Sequence, residues 1–270
     1  MKNTIWLITA KTNLHVGNEN TSSYGLIDKS VQRDVVTGLP CINGSSLKGA
    51  LNEFMSHILN KDTDFLIQVF GSDKVANDEN KRKKDVQKGA FSFFDAKLLT
   101  IPVQSNNRLF YRATSPGVLK DFVDQLNLFG NEYEEYKFDY DLLSPAVFTE
   151  EETELGDYKA NKQEKNELVK RLEELIGTDI ALFNDADFKE LCSDDNLPII
   201  ARNKLDNGES KNLWYEQIVP QETVFYSVFL STDNTNLKDL LDDKIVQIGA
   251  NATIGMGYCK FKLLNLSSHE

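Results

Sequence analysis

Three stretches of this chain carry residue types able to do chemistry on an anionic substrate. The first runs from Leu14-His15-Val16-Gly17 to Gly25-Leu26-Ile27-Asp28-Lys29-Ser30-Val31-Gln32-Arg33-Asp34, so that a histidine, a carboxylate and an arginine leave one strand end. His15 could serve in acid–base work or position a phosphate, and Asp28 could hold a divalent ion or orient an attacking group. A hydrogen-bonded structural histidine and a turn-forming aspartate are the plain alternatives. The second stretch is Gly44-Ser45-Ser46-Leu47-Lys48-Gly49. A glycine ahead of a serine-capped helix leaves several N–H groups unpaired and pointing one way, which favours a phosphate, and Lys48 adds a full charge in the first turn. An ordinary capped helix with a surface lysine fits the same residues. The third is Gly249-Ala250-Asn251-Ala252-Thr253-Ile254-Gly255-Met256-Gly257, where three glycines allow close approach of another backbone. The alternative is a connector, although Ile254 and Met256 between the glycines suggest a held loop. The Gly-x-x-x-x-Gly-Lys spacing of a nucleotide-hydrolysing loop, a zinc-type His/Cys cluster and a Gly-x-Ser-x-Gly nucleophile turn are all missing.

The elements that must position these stretches can be read from periodicity. Ile5 to Val16 reads as a strand, Ser45 to Leu59 as a helix capped by Ser45 or Ser46, and Ala90 to Leu99 as a second strand. Asp73 to Lys88 is polar and highly charged, a candidate exposed loop. Pro116 to Leu128 reads as a helix with proline in its first turn, and Lys162 to Ile176 as an amphipathic helix. Residues 199–216 read as a hairpin turning at Asp206-Asn207-Gly208. Thr223 to Leu230 reads as a strand, Asn236 to Val246 as a helix, and Gly257 to Leu264 as a closing strand. Strand–helix–strand at both ends points to an α+β chain, an RRM- or ferredoxin-like βαββαβ palm with large insertions. That architecture hosts many functions and decides none of them.

Charge is unevenly distributed. The net charge is −12, which by itself argues against nucleic acid. Residues 121–200 hold 22 acids and 7 bases, a balance of −15, and the remainder of the chain is therefore +3. Residues 121–200 are read as an acidic, largely helical insertion, either a solvated face or one turned toward a neighbouring protein. A hydrophobic content of 40% allows a real core. The three scattered cysteines, Cys41, Cys192 and Cys259, suggest free thiols and a cytoplasmic protein, and neither a signal peptide nor a membrane span is indicated.

Taken in order, these stretches resemble the RAMP superfamily of CRISPR-associated proteins, in particular the backbone subunits of type III-B (Cmr) effector complexes. The resemblance rests on Leu14 to Gly17, Gly25 to Asp28 with Gln32-Arg33, Thr37 to Gly49, Phe70-Gly71, Gly89 through Asp95 to Leu99 and on to Ile101-Pro102-Val103. It continues through Thr114-Ser115-Pro116, Leu213-Trp214-Tyr215-Glu216 and the Gly249–Gly257 loop. It covers nearly the whole chain, 1–270 as a single RAMP domain, apart from the acidic block. It implies a filament of copies along a CRISPR RNA, beside other subunits of the Cmr complex, with guide pairing supplying specificity. It also implies an endoribonuclease in antiviral defence that cuts target RNA with a divalent metal ion (Mg2+ or Mn2+). Asp28 falls on the catalytic and metal-binding position, and His15 and Glu216 on supporting catalytic positions. The implied RNA-binding residues are Arg33, Ser45, Ser46, Lys48, Arg202, Lys204, Gly249, Asn251, Gly255, Met256 and Gly257, with 199–216 as the thumb-like hairpin that wedges between bases. One departure is Gln217-Ile218, where relatives often carry a second acid and a tyrosine. It leaves open an alternative, a non-catalytic structural scaffold of the same kind of complex.

Overall fold

The computed structural model describes residues 2–17, 27–72, 87–129, 147–165 and 167–264. Along the chain come β1 (Lys2–Ala10), β2 (Cys41–Ile42), α1 (Gly44–Glu53), which continues as a wider π-helical turn over Phe54–Ile58, α2 (Thr63–Phe70), β3 (Phe91–Phe93), β4 (Ala96–Gln104) and β5 (Phe110–Thr114). Then follow α3 (Pro116–Phe129), β6 (Val147–Thr149), β7 (Thr153–Leu155), β8 (Tyr158–Lys162), α4 (Glu167–Ile176), β9 (Ile180–Leu182) and α5 (Asp185–Leu191). The chain closes with β10 (Ile199–Asp206), β11 (Glu209–Gln217), β12 (Val224–Ser231), α6 (Lys238–Leu241), β13 (Ile245–Gln247) and β14 (Tyr258–Leu263).

The fold is α+β, built on one large mixed sheet whose neighbours run β13-β14-β1-β12-β4-β5-β9-β6-β8-β7, with β2 on β4 and β3 on β12. The β1–β12, β1–β14 and β12–β4 pairs are antiparallel, whereas β5–β9 and β6–β8 are parallel. Ile5, Trp6, Leu7 and Ile8 are all buried, as are Val224 to Phe229, so β1 and β12 are covered on both faces. Trp6 lies 5.8 Å from Phe229 and 6.3 Å from Phe261 between ring centroids, and Phe93 meets Phe229 edge-on at 4.9 Å. Against this core α1 buries Leu47 and Leu51. β10 and β11 pair with each other as a hairpin outside the main sheet, and the end of β11 also bridges Lys29.

Several expected boundaries shift. The first strand stops at Ala10, and residues 11–16 leave the ladder to run beside the end of the hairpin, where Leu14 bridges Val219. Ala90 to Leu99 breaks into β3 and β4 around Phe94-Asp95. The helix expected over Asn236–Val246 is a single turn, α6, because Asp243 takes φ 59° and the β-branched Ile245-Val246 pair with β14 instead. Where it is described, the acidic block carries the end of α3, α4 and α5 together with strands. Strands β6 to β9 join the main sheet, where Val147, Leu155, Ala160 and Ile180 are buried. The Asp73–Lys88 loop lies, up to residue 86, outside the described residues, as do 130–146 of the acidic block. The three cysteines are free and buried, and burial pushes each thiol up to about 12, so none supplies a thiolate. Among the described residues no helix is long and apolar enough to cross a membrane.

Candidate functional site

The last residues of β11 organise the site. The Tyr215 carbonyl accepts the N–H groups of Asp28 (3.0 Å) and Lys29 (3.2 Å), and the Gln217 N–H donates to the Lys29 carbonyl at 2.9 Å. The Tyr215 N–H donates to Asp28 Oδ2 at 2.7 Å. Asp28 is exposed yet fixed, and its Oδ1 has no hydrogen bond to the described residues. Residues 18–26, which lead into Asp28, lie outside the described residues. His15 is 3% exposed, with Nδ1 2.7 Å from the Gln217 carbonyl oxygen. A carbonyl only accepts, so Nδ1 is the donor of this bond.

Glu216 sits between these two and is almost fully buried. Its Oε1 accepts from Trp214 Nε1 (2.7 Å) and Lys29 Nζ (2.9 Å), its Oε2 from Asn251 Nδ2 (2.7 Å), and Arg202 Nε stands 3.8 Å away. Burial alone would raise its pKa. The hydrogen bonds from Trp214, Lys29 and Asn251, with the charge of Lys29, outweigh it and hold the carboxyl at about 2. A group so acidic and so fully engaged stays ionised and makes a poor proton shuttle at neutral pH.

The glycine-rich loop closes against the same place. Ala250 N–H donates to the His15 carbonyl and Gly257 N–H to that of Asn13, both at 2.9 Å. Gly249 has φ 81°, and a Cβ there would fall 2.3 Å from the His15 oxygen, so only glycine fits. Asn251 takes the left-handed conformation (φ 67°), which aims its amide at Glu216. Gly255 turns in open space at the loop's outer end. The loop follows β13, not a helix, and Met256 is buried, so its side chain supports the loop from within.

Helix α1 lies apart from that network and is joined to it through Gln32. Neither Ser45 nor Ser46 caps it: Asn43 is the N-cap without a side-chain bond, and Gly44 N–H donates to Asp95 Oδ1 at 2.6 Å. The helix starts a residue early because the β3–β4 break delivers a carboxylate there, which occupies one donor of the expected anion site. The N–H groups of Ser45 and Ser46 remain in the first turn, where no intrahelical acceptor exists. Lys48 is exposed. The buried Gln32 donates to Ser46 Oγ (3.0 Å) and the Gly17 carbonyl (3.3 Å), and it accepts Asn43 N–H (2.8 Å), tying α1 to the loop that carries Asp28. Arg33 points elsewhere. Its guanidinium pairs with Asp194 (2.7 Å) and donates to the carbonyls of Gly38 (2.8 Å) and Cys192 (2.7 Å), so it serves the protein's own packing. On the hairpin, Arg202 faces Trp214 across the ladder and Lys204 faces Asn212, and Lys204 is exposed.

Among the described residues the donor set around Asp28 falls short of what a resident divalent ion needs. Among the described residues no three His, Cys, Asp or Glu side chains converge, and Asp28 has one of its oxygens committed to Tyr215. Hard cations require several oxygen ligands. Sequence reasoning missed Lys29, Trp214, Gln32 and Gln217 as members of the site. Lys29 and Gln217 act through partners 186 to 202 residues away, and the bonds of Gln32 and Trp214 depend on a fold that local spacing does not mark.

Residues 7–260 match the model of the RAMP superfamily. Over 91% of this chain and 90% of the relative, the sequence is 29% identical to the CRISPR system Cmr endoribonuclease Cmr4 of Pyrococcus furiosus. The fold is similar to the crystal structure of oligomeric Cmr4 from Pyrococcus furiosus, with TM-score 0.73 and 24% identity over 99% of this chain and 100% of that one. It is also similar to a chain in the cryo-EM structure of type III-B Cmr-beta bound to cognate target RNA, with TM-score 0.74 and 22% identity over 97% of each.

Proposed function

The chain belongs to the RAMP superfamily, and from that membership we propose that it is the guide-RNA-binding backbone subunit of a type III-B CRISPR effector complex. In this reading copies of it form a filament along the CRISPR RNA in the cytoplasm, joined by other Cmr subunits, and cut complementary target RNA at regular intervals. The observation that carries it is the convergence of Asp28, His15, Glu216 and Asn251 on Tyr215-Glu216-Gln217, residues up to 202 positions apart. An exposed, fixed carboxylate suits activation of a ribose hydroxyl, and the buried His15 holds the strand end behind it. The relative named as a Cmr endoribonuclease supports the same chemistry. We read β1-α1-β4 and β12-α6-β14 as the two halves of a βαββαβ palm, which their sheet order β14-β1-β12-β4 supports, and β10–β11 as its thumb.

The test is reconstitution with a guide RNA and its Cmr partners, with Mg2+, with Mn2+ and with chelator. Cuts at regular spacing in complementary RNA only are expected. A filament that assembles and binds target but never cuts in any condition would instead make the chain a scaffold. A second expected result concerns the grip. Lys48→Ala should weaken guide binding equally for all sequences and lower the slope of log K against log salt by about 1. A loss confined to particular guide sequences would contradict a backbone contact.

A further inference from the structure

Lys29 has no role in the chemistry described so far. It follows Asp28 directly, on a segment pinned to Tyr215 and Gln217 by main-chain hydrogen bonds. Its side chain is 51% exposed, yet it is not free to wander: Nζ is 2.9 Å from Glu216 Oε1 and 5.3 Å from the centroid of the Trp214 ring. A surface lysine ordinarily sweeps through many rotamers. Here a buried carboxylate and an indole hold the ammonium in one place, and the indole donates to the same carboxylate oxygen, fixing all three together.

The charge balance is what makes this arrangement more than an ion pair. Glu216 carries one negative charge and faces two cations, Lys29 and Arg202, with Asn251 and Trp214 as neutral donors. Lys29 and Arg202 exceed Glu216 by one positive charge, which balances the Asp28 carboxylate and leaves the Lys29 ammonium as the exposed cation of the cluster. An approaching phosphodiester meets a cation with exposed surface. The base proposed for its 2′-hydroxyl is the preceding residue, so base and cation are adjacent in the chain.

We propose that Lys29 is a catalytic residue of the RNA-cleaving site, its ammonium contacting a non-bridging oxygen of the scissile phosphate, with Glu216 and Trp214 as positioning residues that hold it there. This rests on the endoribonuclease reading given above. In the step, Asp28 takes the 2′-hydroxyl proton, the 2′-oxygen bonds to phosphorus and the P–O5′ bond breaks. The 5′-oxygen leaves as a hydroxyl by taking a proton from solvent, and Asp28 returns its proton to solvent. Lys29 stabilises the extra negative charge on the phosphoryl oxygens as the phosphorus becomes five-coordinate.

The test uses the reconstituted complex and target RNA carrying a single phosphorothioate of defined configuration at one scissile position. Wild type should cut one diastereomer much more slowly than the other. Lys29→Ala should slow cleavage of the all-oxygen target by about 100-fold, leave target binding within about threefold, and abolish the preference between diastereomers with or without Mn2+. Lys29→Arg should recover most of the rate. A merely structural lysine would slow both diastereomers alike and preserve their ratio, and that result overturns the proposal, as does a Lys29→Ala complex that cuts at the wild-type rate. Wild-type complex that binds target and never cuts overturns the endoribonuclease reading and this proposal with it, so the two failures are distinct.

Discussion

Asp28→Asn in the reconstituted complex should reduce target cleavage by about 10^3-fold while guide binding, target binding and filament assembly stay as in wild type. Asparagine is the informative replacement because Asp28 has two jobs in this structure. Its Oδ2 accepts the Tyr215 N–H at 2.7 Å and so holds the loop to the hairpin. An amide oxygen can take over that bond, so the backbone of residues 28–29 stays pinned and stability should change by under about 0.5 kcal/mol. What asparagine cannot do is accept a proton, and a positioned general base contributes about 10^2 to 10^4 in rate. Single-turnover cleavage of a complementary RNA and a binding titration of the same RNA check the two halves separately. Cleavage undiminished with binding intact would remove Asp28 from the chemistry. Parallel loss of binding and assembly would mean that the carboxylate is chiefly a strut.

That division between strut and chemistry also marks how far the sequence could be read. His15, Asp28 and the Gly249–Gly257 loop stand out in a linear reading as polar groups near glycines between apolar runs, whereas Glu216 is marked only by the family resemblance. β1, α3 and the β10–β11 hairpin were legible because burial, a proline at the first helical position and an Asn-Gly turn are local signals. The partnerships were not. Lys29 meets Glu216 across 187 residues, and Arg33 spends its guanidinium on Asp194 and two carbonyls, 159 and 161 residues away in the cases of Cys192 and Asp194. Nothing in the spacing around Arg33 distinguishes an arginine reserved for phosphate from one consumed by its own fold. The start of α1 went the same way: a serine looked like the cap until Asp95, 51 residues on, supplied the acceptor to Gly44. Local rules place elements and flag candidates, and long-range hydrogen bonds decide which candidates remain available.

Glu216 is the residue where those long-range bonds concentrate, and Glu216→Gln should cost about 3 kcal/mol of stability at pH 7. Its carboxyl is held at about 2, against an ordinary value of 4.5, by donors that prefer the charged form. The side chain is 2% exposed, so solvent screening takes little from that figure. A depressed carboxylate contributes stability that is complete above the unfolded value and is lost as pH falls through the folded one. The contribution of Glu216 is therefore full above about pH 4.5 and fades toward pH 2, with roughly 1 kcal/mol gone by about pH 3.5. Glutamine is ionised at no pH, and with one amide oxygen it cannot serve Trp214, Lys29 and Asn251 at once. Its amide nitrogen would face another donor. Urea denaturation of wild type and variant, in parallel from pH 7 to pH 3.5, checks both size and sign. The gap between them should narrow as the pH falls, whereas a gap independent of pH would show that Glu216 stabilises the protein through packing alone. The variant also frees Lys29 and Arg202 from their shared partner. If Glu216 acts as an anchor, cleavage should fall while an acid–base signature in the pH–rate profile stays where wild type has it. A shifted profile would instead make Glu216 a proton carrier, against its buried, four-partner setting.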